Sequence, residues 1–137
     1  MRRTLGTCCC GKRIVWVDDH PDNNRIPRRL LEDGGAALVL ALSTKEASSL
    51  LERPKDTVHL VISDMGRGDD QLAGIELLEY LRKATIQLPV IIYSDNPMAD
   101  ARREEIRRLG GIGPILGPEN LIECISRLFN LTDFPLP

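Results

Sequence analysis

The sequence lacks an excess of charge of one sign and lacks long hydrophobic runs, and each absence excludes a class of protein. Among its 137 residues, 18 basic and 20 acidic side chains give a formal net charge of −2. The chain therefore has no positive field to neutralise nucleic-acid phosphates. Its longest aliphatic run, residues 36–42, is far shorter than the roughly 20 residues of a membrane-spanning helix. We expect neither nucleic acid nor membrane as a partner.

The cysteines also lack a recognisable pattern. Cys124 stands alone, and the other three are consecutive: Cys8, Cys9 and Cys10. Neither a zinc-ligand spacing nor a disulfide framework is present. We interpret residues 1–11 as a flexible, oxidisable tail, with acylation or metal binding of the cysteine cluster as the alternative. No apolar stretch of signal-peptide length follows Arg2 and Arg3, so we expect a cytoplasmic protein.

What is present is an alternation of two hydrophobic patterns. The composition, 42% hydrophobic and 28% charged, is typical of a soluble globular domain. Strands buried on both faces carry continuous apolar runs, and helical crossovers connect parallel neighbours. We predict a doubly wound α/β domain over residues 12–131, with five helices and a C-terminal tail at 132–137. Its five parallel strands are predicted at 14–17, 36–42, 58–62, 90–93 and 112–116.

Local signals mark some boundaries and disturb others. Ser43 with Glu46 three residues later forms a capping box, which places a helix start at this point. Pro27 falls inside the first predicted helix, where it should kink the backbone or shift the helix start. Pro114 falls in the fifth strand, which is tolerable at a sheet edge.

Polar residues, three of them acidic, follow the predicted strands. Asp18 and Asp19 come after the first strand, Asp64 after the third and Ser94 after the fourth. Open α/β sheets bind ligands beyond the carboxyl ends of their strands. If the first and third strands are neighbours, the three carboxylates converge. Such a cluster either carries raised pKa values or holds a hard divalent cation such as Mg²⁺.

Three segments around these residues carry a family resemblance: WVDD at 16–19, VISDM at 61–65 and IIYS at 91–94. They resemble the receiver domains of two-component response regulators. The resemblance covers roughly residues 12–129 and implies the flavodoxin-like strand order 2-1-3-4-5. It therefore places the first and third strands side by side.

The resemblance also implies a role for each site residue. Asp64 matches the phosphoryl acceptor, and Ser94 matches the hydroxyl that contacts the phosphoryl group. Asp18 and Asp19 match the acidic pair that helps to bind Mg²⁺, and the backbone carbonyl of Gly66 completes the metal site. The implied function is that of a stand-alone signalling phosphoacceptor rather than an enzyme, with a histidine kinase or phosphotransfer protein upstream and an unidentified protein downstream.

Two departures from the family pattern leave an alternative open. Gly117 stands where receivers usually carry a lysine, and Pro114 stands where many carry a switching aromatic residue. We therefore predict an atypical receiver in which Arg67 substitutes as the cation. The alternative is an interaction module that keeps the fold and works without phosphorylation. A metal hydrolase is disfavoured, because it requires an aspartate where Gly66 stands.

Overall fold

The computed structural model describes residues 9–53, 57–66, 70–94 and 96–133. The strands are β1 (Arg13–Val17), β2 (Ala37–Ala41), β3 (Leu60–Asp64), β4 (Val90–Tyr93) and β5 (Ile112–Ile115). The α-helices are α1 (Arg25–Asp33), α2 (Thr44–Leu51), α3 (Ala73–Lys83), α4 (Arg103–Arg108) and α5 (Pro118–Asp133). Short 3₁₀ helices, Pro21–Asn24 and Pro97–Arg102, lead directly into α1 and α4. Within these described ranges, no helix is long and apolar enough to span a membrane.

The five strands form one parallel sheet in the order β2-β1-β3-β4-β5. This order confirms the predicted fold. Successive side chains of a strand point to opposite faces, so the sheet contributes to two cores. The core covered by α2, α3 and α4 includes Val15, Val61 and Ile92. The core covered by α1 and α5 includes Ile14, Trp16 and Ile62.

Strand β2 differs from its prediction. The apolar run at 36–42 predicts a strand buried on both faces, yet Leu40 is 42% exposed. The strand lies at the edge of the sheet, where it pairs only with β1 among the described strands. An edge strand has a neighbour on one side only, so its apolar residues are partly open to solvent.

Both prolines occupy positions that tolerate them. Pro27 is the third residue of α1, where a backbone N–H has no acceptor within the helix, so no hydrogen bond is lost. The 3₁₀ helix Pro21–Asn24 precedes α1, which begins at Arg25. Pro114 lies in β5, which is an edge strand as expected. The pairing of β4 with β5 shifts register between Ile91 and Tyr93.

The cysteine prediction is wrong for Cys9. The residue is 1% exposed, and its thiol donates to the carbonyl of Leu31 at 3.3 Å. Cys9 is therefore part of the core against α1 rather than of a loose tail. Cys8 lies outside the described residues. Burial raises the pKa of the Cys124 thiol, which keeps it in the less reactive protonated form.

Helix α2 begins with the predicted cap, and this cap should be measurable. Ser43 Oγ accepts from the N–H of Glu46 at 3.1 Å, while the Glu46 carboxylate accepts from the N–H of Leu42 at 2.8 Å. We expect Ser43→Ala to lower the free energy of unfolding by about 1 kcal/mol. Urea denaturation measures this loss. Ser49→Ala, on the exposed side of the same helix, is the control and should cost nothing. Equal losses in both variants would contradict the capping role.

Candidate functional site

The carboxyl ends of β1, β3 and β4 border a cavity of about 480 Å³. Because β1 and β3 are parallel neighbours, their carboxyl ends lie at the same edge of the sheet. The residues at these ends and just after them meet there, and β4 adds its own end beside β3. All five residues proposed from the sequence line this one cavity: Asp18, Asp19, Asp64, Gly66 and Ser94.

Asp18 is held by three hydrogen bonds from the protein. Its Oδ1 accepts from the backbone N–H of His20 at 2.8 Å. Its Oδ2 accepts from Trp16 Nε1 at 3.2 Å and from Asn24 Nδ2 at 2.6 Å. Asp18 is only 4% exposed, and these donors offset the cost of burying a carboxylate. Asp18 is therefore a rigid anchor of the site.

Asp19 and Asp64 complete a cluster of acids with Asp18. One carboxylate oxygen from each of the three lies within 4.8 Å of the others. His20 Nδ1 lies 3.3 Å from Asp19 Oδ1 at the open side of the cluster. Two oxygens on opposite sides of a Mg²⁺ ion are about 4.2 Å apart. The three acids therefore lie near one another on the scale of the coordination sphere of a small, hard cation, and their oxygen donors are those that Mg²⁺ prefers.

Two hydrogen bonds position Ser94, one to β5 and one from the segment that follows β4. Its backbone N–H donates to the carbonyl of Ile115 at 3.0 Å, which ties the end of β4 to β5. Its Oγ accepts from the N–H of Asn96 at 3.0 Å. A hydroxyl has one proton to donate as well as lone pairs to accept. The Ser94 hydroxyl can therefore donate a hydrogen bond to a ligand while it keeps the bond from Asn96.

The start of α3 packs directly against the backbone of the third acid. The N–H of Gly74 donates to the carbonyl of Met65 at 2.8 Å. A Cβ at position 74 would lie 2.5 Å from the carbonyl oxygen of Asp64, closer than atoms can approach. Only glycine therefore allows α3 to hold the end of β3 in this position.

The two departures noted in the sequence have clear structural counterparts. Gly117 has a φ of +86°, and a Cβ built on it has nothing within 4 Å, so this position offers the cavity no cation. Pro114 is buried in β5, and its carbonyl accepts from Arg103 Nη2 at 3.3 Å. Arg67, which we predicted as the substitute cation, lies outside the described residues. Arg102 is the one lysine or arginine among the described residues that line the cavity.

Sequence reasoning missed several polar contributors to this site. The indole of Trp16 packs against Tyr93 with ring centroids 5.9 Å apart, and its N–H also donates to Asp18. Asn24 reaches Asp18 because the 3₁₀ helix turns the chain back toward β1. Arg102 carries no local signal, because its place in the cavity depends on how the second 3₁₀ helix meets α4. No pattern in the sequence identifies these contacts.

Comparison with known families identifies the family of this chain. The family model for the response regulator receiver domain matches residues 14–127. This chain belongs to the receiver domain family. Receiver domains are signalling domains and generally not enzymes, and the matched range of this receiver includes the acid cluster and Ser94.

Solved structures show the same fold, and one curated sequence is similar to part of this chain. The receiver domain of a Francisella response regulator matches with a TM-score of 0.74 and 24% identity, over 89% of this chain and 99% of that chain. The Thermotoga maritima response regulator TrrA, in complex with Mg(2+)-BeF, matches with a TM-score of 0.65 and 22% identity, over 85% and 98% of the two chains. An uncharacterized 14.6 kDa protein from Leptolyngbya boryana is 40% identical over 70 residues. This receiver spans about half the length of that curated relative, since the match covers 51% of this chain and 50% of the other.

Proposed function

We propose that this protein is an atypical receiver that accepts a phosphoryl group on Asp64 in the presence of Mg²⁺. The observation that carries the proposal is the convergence of Asp18, Asp19 and Asp64 within 4.8 Å of one another, in the cavity that Ser94 also lines. A single aspartate after a strand is most often a turn or capping residue. Three acids from two neighbouring strands, with a hydroxyl from a third strand, favour a reaction site over that interpretation.

In this proposal, Mg²⁺ is held by Asp18, Asp19, Asp64 and the backbone carbonyl of Gly66. When bound, the ion offsets negative charge on the oxygens of the phosphoryl group. The known complex of the Thermotoga relative with Mg(2+)-BeF supports this choice of cation. The three hydrogen bonds to Asp18 hold its carboxylate in place before any ligand arrives. Ordering of the Asp18 side chain therefore costs little free energy when a ligand binds.

The chemistry that we propose for Asp64 is nucleophilic. One of its carboxylate oxygens attacks the phosphorus atom, and the bond from phosphorus to the donor's leaving group breaks. The phosphoryl group thereby moves from the donor to the carboxylate. The product is an acyl phosphate. The Ser94 hydroxyl then donates to an oxygen of the new phosphoryl group, which draws the end of β4 toward Asp64 and changes the surface formed by the segment that follows.

The partners belong to the same proposal. A histidine kinase or a phosphotransfer protein would supply the phosphoryl group, and a further protein would bind the altered surface. We propose residues 12–131 as the unit that carries the function, with the turn at residues 9–11 packed against it through Cys9.

A second candidate function follows from Gly117 and Pro114. Without the lysine, the contact that usually stabilises the phosphoryl group is missing, and such charge-assisted contacts contribute about 1.5 to 3 kcal/mol. A rigid proline in β5 cannot change rotamer in response. The alternative is a module that keeps the receiver fold and binds its partner without phosphorylation.

Incubation of the protein with acetyl phosphate, followed by intact-mass spectrometry, distinguishes the phosphoryl-accepting receiver from the phosphorylation-independent module. We expect one phosphoryl adduct with Mg²⁺ and none when EDTA removes the ion, because the carboxylates then repel the incoming anion. Trp16 is the single tryptophan and donates to Asp18, so its fluorescence reports Mg²⁺ binding separately. Mg²⁺ binding without any adduct would favour the phosphorylation-independent module.

A further inference from the structure

Among the described residues that line the cavity, carboxylates outnumber the arginine and lysine side chains. Three carboxylates line the cavity, and phosphorylation of Asp64 would add a further negative charge to it. Gly117 has no side chain to reach this charge, and the space around it is open. The cation must therefore come from another part of the chain.

Among the described residues that line the cavity, Arg102 is the one lysine or arginine. It is the last residue of the 3₁₀ helix Pro97–Arg102, and α4 starts directly after it. Its Nη1 donates to Glu105 Oε1 at 3.0 Å, with the two side chains 48% and 38% exposed. An exposed pair of this kind contributes little stability, so the guanidinium can exchange partners at low cost.

The neighbouring arginines are committed to other contacts. Arg103 bonds to Asp100 and to the carbonyl of Pro114, which ties α4 to β5. Arg107 lies on the exposed surface of α4, where its side chain is 75% exposed and pairs with Glu104 at 3.4 Å. Neither of them lines the cavity, so among these three arginines only Arg102 both lines the cavity and bonds to a residue of α4.

We propose that Arg102 binds the phosphoryl oxygens on Asp64 and so replaces the lysine that Gly117 lacks. This inference rests on the proposed function of Asp64. A guanidinium offers several N–H donors in a fork that fits the oxygens of a phosphoryl group. When the guanidinium turns to the phosphoryl group, it leaves Glu105. The carboxylate of Glu105, in the first turn of α4, then lies on the surface without this partner.

The exchange also supplies a signal that does not depend on an aromatic residue in β5. Phosphorylation would change the charge pattern at the start of α4, because Arg102 moves inward and Glu105 is released. A downstream protein can distinguish the two charge patterns without any rotamer change at Pro114. The same arginine therefore accounts for both departures from the usual receiver.

Binding of beryllofluoride, a tetrahedral mimic of a phosphoryl group on a carboxylate, tests this inference. Beryllofluoride is titrated at saturating Mg²⁺ and followed by Trp16 fluorescence. We expect R102Q to raise the half-saturating concentration about tenfold, the effect of losing one charge-assisted contact. We expect E105Q to lower it about threefold, because Arg102 no longer has a competing partner. The matched controls R107Q and E104Q make the same charge changes in the exposed pair on α4 and should leave it unchanged.

The outcomes separate the two proposals. If the unmodified protein binds beryllofluoride and R102Q binds equally well, Arg102 is not the cation, while the role of Asp64 stands. Equal effects of R102Q and R107Q would show a general charge effect and would also overturn the inference. If the unmodified protein binds Mg²⁺ but no beryllofluoride, the proposed function itself fails, and the role of Arg102 fails with it.

Discussion

Replacement of Asp64 with Asn is expected to abolish the phosphoryl adduct that acetyl phosphate forms on this protein. The amide of Asn has nearly the shape of the carboxylate but is not a nucleophile toward phosphorus at neutral pH. The substitution also removes one of three carboxylates that lie within 4.8 Å of one another. Repulsion in the cluster then falls, so the variant should fold at least as stably as the unmodified protein. Intact-mass spectrometry measures the adduct, and circular dichroism confirms the fold.

Asp22→Asn is the matched control for this experiment. Asp22 lies in the 3₁₀ helix near the site, but its side chain is 86% exposed and 3.9 Å from Arg28. It does not line the cavity, so the adduct should form as in the unmodified protein. An adduct that persists in the Asp64 variant would show that another residue accepts the phosphoryl group.

Replacement of Gly74 with Ala is expected to lower both the free energy of unfolding and the affinity of the acid cluster for Mg²⁺. The added Cβ would lie 2.5 Å from the carbonyl oxygen of Asp64 and 3.2 Å from Cα of Met65. Both atoms belong to the backbone, which cannot move aside as a side-chain end can. Overpacking of this kind costs about 1 to 3 kcal/mol, and the better helix propensity of Ala offsets part of the loss. Relief of the clash must shift Asp64, so Mg²⁺ affinity should also fall. Urea denaturation and Trp16 fluorescence measure the two effects.

Gly111→Ala separates the effect on the site from simple overpacking. A Cβ at position 111 would meet side-chain methyl groups instead, at 2.7 Å from Leu78 and 2.9 Å from Ile106. These groups can repack, and they do not line the cavity. We expect a smaller loss of stability and unchanged Mg²⁺ affinity. Equal Mg²⁺ affinities in the two variants would contradict the view that Gly74 positions Asp64.

The fold was largely predictable because it depends on a repeated pattern. Alternating apolar runs and helical spacings gave the strand and helix count, while the strand order came from the family resemblance. The exposure of Leu40 was not predictable, because an apolar run in an edge strand has the same composition as one in a central strand. The burial of Cys9 depends on the turn that brings it against α1, and no local signal marks that contact.

The site was predictable in its acids and less so in its supporting groups. Asp18, Asp19 and Asp64 follow strands, and the ends of neighbouring parallel strands must meet. The donors to Asp18 depend on the path of the chain after β1, which brings Asn24 back to the carboxylate. The position of Arg102 depends on the junction between the second 3₁₀ helix and α4. Contacts of this kind arise from tertiary structure and cannot be assigned from spacing.

Reductive mapping of the phosphorylated residue tests the central proposal most directly. Borohydride reduces the carbonyl of an acyl phosphate to an alcohol, so the aspartate that carried the phosphoryl group becomes homoserine. The protein is treated with acetyl phosphate and Mg²⁺, reduced, digested and sequenced by tandem mass spectrometry. The proposal predicts homoserine at position 64 and unmodified aspartate at 18 and 19. Homoserine at position 18 or 19, or no homoserine in a sample that carries the adduct, would contradict it.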